Sequence, residues 1–196
     1  MKTKIETRNF SNLNIDSENR IIRGTAIVFD SESVDLGGFV EIIDRNAVTT
    51  EFLDKQDIIF KYNHNDNYLP LSRSRQGKGT LSYSIDERGV NFEFVIKNKD
   101  AGILESIQAG DIDSCSFSFI CGQDEVSRRS DNTIVRKIKS FDKILDFSIV
   151  DTPAYPATSV SCRSIDEFKN KESEIKNKIN VESFQSYYNK LKKKYL

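Results

Sequence analysis

Alternating apolar and polar residues along much of the chain predict β-strands separated by turns. Strands are expected at Arg20–Phe29, Phe39–Ile43 and Asp57–Tyr62, which are rich in β-branched and aromatic residues. Two further segments, Thr80–Ile85 and Gly89–Ile96, alternate on either side of a turn and predict a hairpin. The N-terminal half of the chain is therefore expected to be dominated by β-structure.

Two helices are predicted from the residues at their ends. Asp44 is expected to cap a helix that runs to about Leu53, and Asp100 to cap a helix over Ala101–Ala109. Gly110 follows the second helix at the place where a left-handed residue often ends one. Helices set among strands in this way predict the α+β fold class.

A second group of strands is predicted further along the chain. Ser114–Phe119 alternates strictly, and Thr133–Phe141 and Ile144–Val150 combine apolar and β-branched residues. The polar segment Leu69–Gly79 is expected to be a loop, and Gln123–Asn132 a polar connection between two strands.

The pattern changes near Ser164. Ser164 and Glu167 have the spacing of a capping box, and apolar residues then recur at a broken helical spacing. Residues 164–196 hold eight lysines and five acidic residues, so this segment carries +3 and the rest of the chain −4. We predict a compact domain over residues 1–162 and a helical, lysine-rich appendage over residues 163–196.

The composition limits the classes of protein that fit. Of the 196 residues, 37% are hydrophobic and 30% charged, as in ordinary globular proteins, and the net charge of −1 argues against general nucleic-acid binding. No apolar run is long enough to span a membrane. The N-terminus is charged and lacks the apolar stretch of a signal peptide, so an intracellular protein is expected.

Cysteine and histidine usage argues against metal and disulfide sites. The three cysteines are odd in number and include no CxxC pair, so neither a disulfide framework nor a zinc site is expected. The chain has a single histidine, His64, which excludes a multi-histidine metal site. Any mechanism that needs a histidine must use this residue.

One combination of residues could support nucleophilic catalysis. His64 follows a predicted strand and could take a proton from a serine, which is a poor nucleophile without such a base. Alternation places Ser114, Ser116 and Ser118 on one face of their strand and the intervening residues on the core side, but it does not choose among the three hydroxyls. Asp146, in an otherwise apolar strand, is one option for a carboxylate that orients the histidine.

Four segments, in this order, resemble the prohead protease family of tailed bacteriophages. They cover roughly residues 20–160. Each is a weak signal alone, but their order and spacing together are specific. They are Gly24–Phe29 with Asp35–Glu41, then Phe60–Asn65 around the histidine, then Gly110–Phe119 around the serines, and finally Leu145–Val150 leading into Pro153–Ser159.

The resemblance implies a fold and a set of site residues. The fold would be that of the herpesvirus maturation protease, a β-barrel flanked by helices. By position, Ser116 would be the nucleophile, His64 the base and Asp146 the third member, with Ser148 assisting. The family usually has glutamate at the third place and glycine where Ser118 stands, so this chain uses a shorter carboxylate.

The resemblance also implies substrates and partners. The enzyme would be a serine endopeptidase that cleaves the phage scaffold, or the scaffolding segment of the major capsid protein, and then itself. It would act in the host cytoplasm inside the assembling prohead, as a homo-oligomer, with neither nucleic acid nor membrane as partner. No metal or cofactor is needed, and the oxyanion would be held by backbone N–H groups or by an arginine such as Arg136.

Two other functions remain open from the residues. The positively charged helical tail could belong to a catalytically silent capsid-assembly or scaffold protein that binds coat protein. A cysteine hydrolase that pairs Cys115 with His64 is a further alternative. Alternation disfavours it, because Cys115 is predicted to point into the core, away from the serine face.

Overall fold

The computed structural model describes residues 5–10, 13–151 and 163–195 of the chain. The chain divides into two compact units, Met1–Ser159 and Val160–Leu196. The described residues of the first unit form eleven strands: β1 (Glu6–Phe10), β2 (Leu13–Asp16), β3 (Ile21–Val28), β4 (Val40–Ile43), β5 (Asp57–Tyr62), β6 (Ser72–Arg75), β7 (Lys78–Gly79), β8 (Ser82–Ile85), β9 (Gly89–Val95), β10 (Ser114–Arg128) and β11 (Ile134–Val150).

These strands form two sheets. The larger sheet has the order β1-β10-β11-β5-β6-β7, with β4 also paired to β11, and the smaller has the order β2-β3-β9-β8. Strand β11 runs antiparallel to β10 but parallel to β4 and β5. The α+β class is therefore confirmed.

The predicted barrel is not found among the described strands, because their pairing does not close on itself. The two sheets instead share a core into which both send aromatic side chains. Phe60 of the larger sheet lies 4.6 Å from Phe92 and 4.5 Å from Phe94 of the smaller one, measured between ring centroids. Contacts of this kind fill the space between two sheets without joining their edges.

Most predicted strands are confirmed, but two polar segments predicted to be irregular are strands. Within Leu69–Gly79, β6 pairs with β5, and Arg73 bonds to Asp57 across the pair. The predicted connection Gln123–Asn132 is also wrong for most of its length, because β10 continues to Arg128 and β11 is a single strand of 17 residues. Cross-strand ion pairs explain how such polar segments remain in a sheet.

The helix predicted after Asp44 is broken in two. Asp44 caps only a 3-10 turn, Arg45–Ala47, by accepting a hydrogen bond from the backbone N–H of Asn46. The backbone is then extended at Val48, so a single helix cannot continue, and Thr49 caps the short helix α1 (Thr50–Leu53).

Helix α2 (Ala101–Ala109) has the predicted bounds and ends at Gly110, whose φ of 83° is left-handed. Asp100 precedes it but makes no capping bond. Its carboxylate accepts hydrogen bonds from the Tyr68 hydroxyl and from Lys99 instead. In the second unit, α3 spans Arg163–Tyr195. None of the described helices has the length and apolar character needed to cross a membrane.

A charge cluster of five side chains ties the N-terminal strand to the larger sheet. Its members come from β1, β4, β10 and β11, and four of them are less than 9% exposed. Both arginines are bonded to two glutamates, and one arginine also bonds to an aspartate. Removing one member of such a group leaves buried charge without compensation. The members are Glu6, Arg8, Glu41, Asp124 and Arg136.

Arg136→Met tests how strongly the charge cluster holds the fold. We expect a loss of about 3–5 kcal/mol in the free energy of unfolding, because three carboxylates lose a buried partner. Urea denaturation measures this loss. Arg73→Met is the matched control, since its pair with Asp57 is partly exposed and should contribute about 1 kcal/mol or less. Equal losses in the two variants would contradict the prediction.

Candidate active site

His64 lies in a turn directly after β5, and this turn is fixed to the end of β11. Asn63 and His64 both have left-handed backbone conformations, with φ of 51° and 52°, which these two residue types tolerate better than most. The Asn63 side chain exchanges two hydrogen bonds with Asp151. The backbone N–H of His64 donates to the Ser148 hydroxyl at 3.2 Å. The imidazole is thereby positioned over the larger sheet.

The strand register brings the other polar side chains under the ring. Ser116 of β10 is the register partner of Ser148 on β11, and Ser118 is the partner of Asp146. These residues share one face of the sheet, while the phenylalanines between them point into the core, as alternation predicted. All four polar side chains are at most 5% exposed, so this is a buried polar layer rather than a solvated surface.

The ring of His64 joins a serine to a carboxylate. Its Nε2 lies 2.7 Å from Ser116 Oγ, and its Nδ1 lies 2.6 Å from Asp146 Oδ1. The hydroxyls of Ser118 and Ser148 also lie 3.1 Å from Nδ1. A ring nitrogen this close to a carboxylate is the donor, so Nδ1 carries the proton and Nε2 of the neutral ring can accept one from Ser116.

Asp146 remains ionised although it is only 4% exposed. Burial acts to raise the pKa of its carboxyl, but the hydrogen bonds from His64 and Lys61, the charge of Lys61 and the charge of His64 when its ring is protonated hold that pKa below its ordinary value. The aspartate is shorter than the family's usual glutamate. Its 2.6 Å contact with Nδ1 shows that the shorter side chain still reaches the ring.

Ser116 has one hydroxyl proton and two acceptors for it. Besides His64 Nε2, the backbone carbonyl of Arg8 lies 2.9 Å from Ser116 Oγ. If the hydroxyl donates to Nε2, the ring is neutral and can act as a base. If the hydroxyl donates to the Arg8 carbonyl, Nε2 must itself be protonated to complete the hydrogen bond. The carbonyl of β1 therefore competes with His64 for the hydroxyl proton of Ser116.

Strand β1 also covers Ser116. The serine is 0% exposed, and Asn9 of β1 is its register partner on the outer side of β10. The side chain of His64 is 24% exposed and so can be reached from solvent. A peptide carbonyl can reach Ser116 Oγ only after the residues around it move, and both the Arg8 carbonyl of β1 and the His64 ring contact this atom.

The structure separates the remaining predicted candidates from this group. The Ser114 hydroxyl donates to Asp113 rather than to His64. Arg136 lies in the charge cluster, where its guanidinium is bonded to carboxylates. Cys115 is 1% exposed on the core side, and burial raises the pKa of its thiol above the ordinary value, which disfavours a thiolate nucleophile.

One neighbour of this group has no role in the sequence-based prediction. Lys61 Nζ donates to Asp146 Oδ2 at 3.1 Å and to Asp66 Oδ1 at 2.6 Å. Burial acts to lower the pKa of the ammonium group, but these two carboxylates raise it above the ordinary value. The available signal was a lysine that follows three apolar residues in a strand, three positions before the only histidine of the chain.

Arg8→Lys tests whether β1 controls access to Ser116. Arg8 holds Glu41 through two bonds of 2.6 Å, a forked contact that lysine cannot make. Losing this contact should lower the free energy needed to displace β1 by roughly 1–2 kcal/mol. Ser116 should then react about tenfold faster with a small fluorophosphonate. Amide exchange in β1, followed by mass spectrometry, should accelerate in parallel.

The matched control is Arg73→Lys, which removes a similar forked bond to Asp57 on the far side of the sheet. It should change neither rate by more than about twofold, given the small contribution of partly exposed pairs. If Arg8→Lys accelerated exchange in β1 but left labelling unchanged, the reagent would be reaching Ser116 without displacing that strand.

A comparison with known protein families identifies the family of this chain. A model of the caudovirus prohead serine protease family matches residues 4–171, a range that includes Ser116, His64 and Asp146. It also extends into the first part of α3. No curated protein and no solved structure matched the chain. Because the family model covers most of the 196 residues, the chain belongs to the caudovirus prohead serine protease family, a family of serine peptidases.

Proposed function

We propose that this protein is the maturation endopeptidase of a tailed phage, with Ser116 as nucleophile, His64 as general base and Asp146 as the carboxylate that orients it. The observation that carries the proposal is the continuous chain of contacts, 2.7 Å from Ser116 Oγ to His64 Nε2 and 2.6 Å from His64 Nδ1 to Asp146 Oδ1. Hydrogen bonds in this order activate a serine hydroxyl.

The reaction proceeds in two halves. His64 takes the proton of Ser116 as Oγ attacks the peptide carbonyl carbon, and then gives that proton to the leaving amine, so that an acyl-enzyme and a free amine form. In the second half, His64 takes a proton from water as the water attacks the ester, and returns it to Ser116 Oγ. Asp146 stabilises the imidazolium that forms in each half.

Ser148 and Ser118 have supporting roles in this proposal. The Ser148 hydroxyl accepts the backbone N–H of His64 and donates to Asp146 Oδ1 at 3.3 Å, so it links the histidine turn to the carboxylate. The Ser118 hydroxyl lies 3.1 Å from Nδ1 and limits the tilt of the ring. Both serines lie on the strands that also carry the nucleophile and the carboxylate.

Backbone amides are favoured over Arg136 as the oxyanion donor. The N–H groups of Arg136 are already donated to Glu6, Glu41 and Asp124, so they are not directed at an oxyanion next to Ser116. Displacement of β1 would free backbone N–H groups along the outer edge of β10, next to Ser116. One movement would therefore expose the nucleophile and supply donors for the oxyanion.

The substrates in this proposal are the phage scaffold, or the scaffolding segment of the major capsid protein, and the protease chain itself. The site would act inside the assembling prohead in the host cytoplasm, with copies of the chain close enough to associate. The predicted domain over residues 1–162, its kinship with the herpesvirus protease fold and the appendage over residues 163–196 belong to the same proposal. Its support is the family match together with the arrangement of Ser116, His64 and Asp146.

Co-expression with the cognate capsid protein and scaffold, followed by intact mass spectrometry, tests the activity. The wild type should cut these partners, and Ser116→Ala should lower cleavage by about 10³-fold or more, as loss of a serine nucleophile does. Ser114→Ala is the matched control, because Ser114 is a buried serine of the same strand that bonds to Asp113. It should retain cleavage.

Two results would contradict the proposal. Full cleavage by Ser116→Ala would exclude this serine as the nucleophile. Uncut partners with both the wild type and Ser116→Ala, in shells that assemble normally, would favour a catalytically silent assembly protein.

Self-cleavage gives a separate prediction for the C-terminal appendage. In α3, Ile175 and Ile179 are 57% and 58% exposed, so this part of the helix presents apolar side chains to solvent. We expect the wild type to lose mass from its C-terminal end under conditions in which it cuts a substrate, and Ser116→Ala to stay intact. Intact mass measured over time checks this. A wild-type chain that stays whole while the substrate is cut would exclude removal of the appendage.

A further inference from the structure

The carboxylate of Asp146 divides its two oxygens between two different nitrogen donors. Oδ1 contacts Nδ1 of His64 at 2.6 Å, and Oδ2 accepts a hydrogen bond from Lys61 Nζ at 3.1 Å. The side chain of Lys61 is only 13% exposed and continues to Asp66, whose Oδ1 lies 2.6 Å from Nζ. A chain of contacts therefore runs from the serine to the surface: Ser116, His64, Asp146, Lys61, Asp66.

We propose that Lys61 is a positioning residue for the serine protease reaction: it keeps Asp146 charged and oriented so that Oδ1 faces His64. The inference rests on the proposed function, because it assigns a role within the same site. Lys61 does not touch the reacting atoms and acts only through Asp146.

The need for a second cation follows from the charge of His64 during the reaction. In the neutral form that can act as a base, the ring carries no charge, so without Lys61 the carboxylate of Asp146 would be a buried anion without a countercharge. The imidazolium supplies that countercharge only while it holds the proton of Ser116. Lys61 supplies it at every stage. The carboxylate can therefore stay ionised in the resting enzyme and is ready when the imidazolium forms.

The same contact limits rotation of the carboxylate. An aspartate side chain has a soft terminal torsion, so its oxygens can turn away from a partner. With Oδ2 held by Lys61, Oδ1 remains directed at Nδ1. Strand pairing reinforces this arrangement, since Lys61 is the register partner of Ser148, two positions from Asp146 on the same face of the sheet.

Lys61 and Asp66 should shift the titration of His64 in opposite directions. A positive charge near the ring disfavours the imidazolium, and a negative charge that offsets it favours the imidazolium. Asp66 is 85% exposed, so its effect is weakened by solvent and should be the smaller. Among the residues that the structure describes, the titratable groups facing the ring or bonded to its turn come from three segments: Lys61 and Tyr62 on β5, Asp66 in the following loop, and Asp146 and Asp151 on or just after β11.

The single histidine of the chain gives a direct readout. Ring signals of His64 in the NMR spectrum of the full chain need no assignment among several histidines. Titrations are performed on the Ser116→Ala background, which removes self-cleavage from every sample. This measurement does not depend on activity, so it can fail or succeed separately from the proposed function.

We expect Lys61→Met to raise the midpoint of the His64 titration by about 0.5–1 pH unit, the size expected for loss of a nearby charge partly screened by solvent. Asp66→Asn should lower the midpoint by a smaller amount, and Lys61→Arg should keep it near the starting value. Lys139→Met is the matched control, because Lys139 also donates to an aspartate at 3.0 Å, but to Asp44. It should leave the midpoint unchanged.

The cleavage rate provides the second readout, measured with variants that retain Ser116. With the capsid protein as substrate, Lys61→Met should lower the cleavage rate about tenfold or more and move its acidic limb to higher pH. Lys61→Arg should recover most of the rate. If Lys61→Met does not fold, as judged by urea denaturation, two other variants replace it. Lys61→Gln should raise the midpoint of the His64 titration, and the exposed Asp66→Asn should lower it.

The two proposals fail in distinguishable ways. Cleavage that survives Ser116→Ala overturns the proposed function whatever the His64 titration does. If Ser116→Ala abolishes cleavage but Lys61→Met leaves both the titration midpoint and the rate unchanged, the role of Lys61 is overturned alone. A lower rate with an unmoved midpoint and no recovery in Lys61→Arg would reduce Lys61 to a structural residue and would also overturn the inference.

Discussion

The pairing of β11 with β10 on one side and β5 on the other is the constraint on which the site depends. The antiparallel register sets Ser116 opposite Ser148, and the parallel register sets Lys61 beside Ser148. Since side chains alternate strictly in a strand, a slip of one residue in either register would exchange this polar layer with the phenylalanines of the core. The core therefore fixes the position of Asp146 and Ser116 through the same alternation that buries their neighbours.

Compensation of buried charge recurs on both faces of the larger sheet. On the core side, two arginines satisfy the buried carboxylates of the charge cluster. On the polar side, Asp146 lies between His64 and Lys61. In the charge cluster, the charges of the arginines and carboxylates do not change during the reaction, and their ion pairs hold β1 to the sheet. In the proposed reaction, the charge of His64 would change with each proton transfer, while the neighbouring Lys61 would keep the carboxylate charged throughout.

The contact between β1 and Ser116 can keep the serine inaccessible in the resting form. The hydroxyl is buried, and the Arg8 carbonyl of this strand competes with His64 for its proton. A maturation protease that cuts scaffold too early would prevent assembly, so a closed resting form suits the proposed function. Because β1 is the edge strand of its sheet, it can separate without breaking pairs between other strands.

The sequence by itself determined the α+β class, most strands, the α2 bounds and the identity of the one histidine, because hydrophobic periodicity and end signals are local. It narrowed the nucleophile to three serines on one strand face, and the family resemblance pointed to Ser116. Only the tertiary structure decided which hydroxyl lies beside His64, that the shorter Asp146 reaches its ring, and that Arg136 lies in the charge cluster. It also replaced the expected barrel with two sheets and revealed Lys61 and β1 as neighbours of the site. These contacts depend on strand register between segments far apart in the chain, which local patterns do not encode.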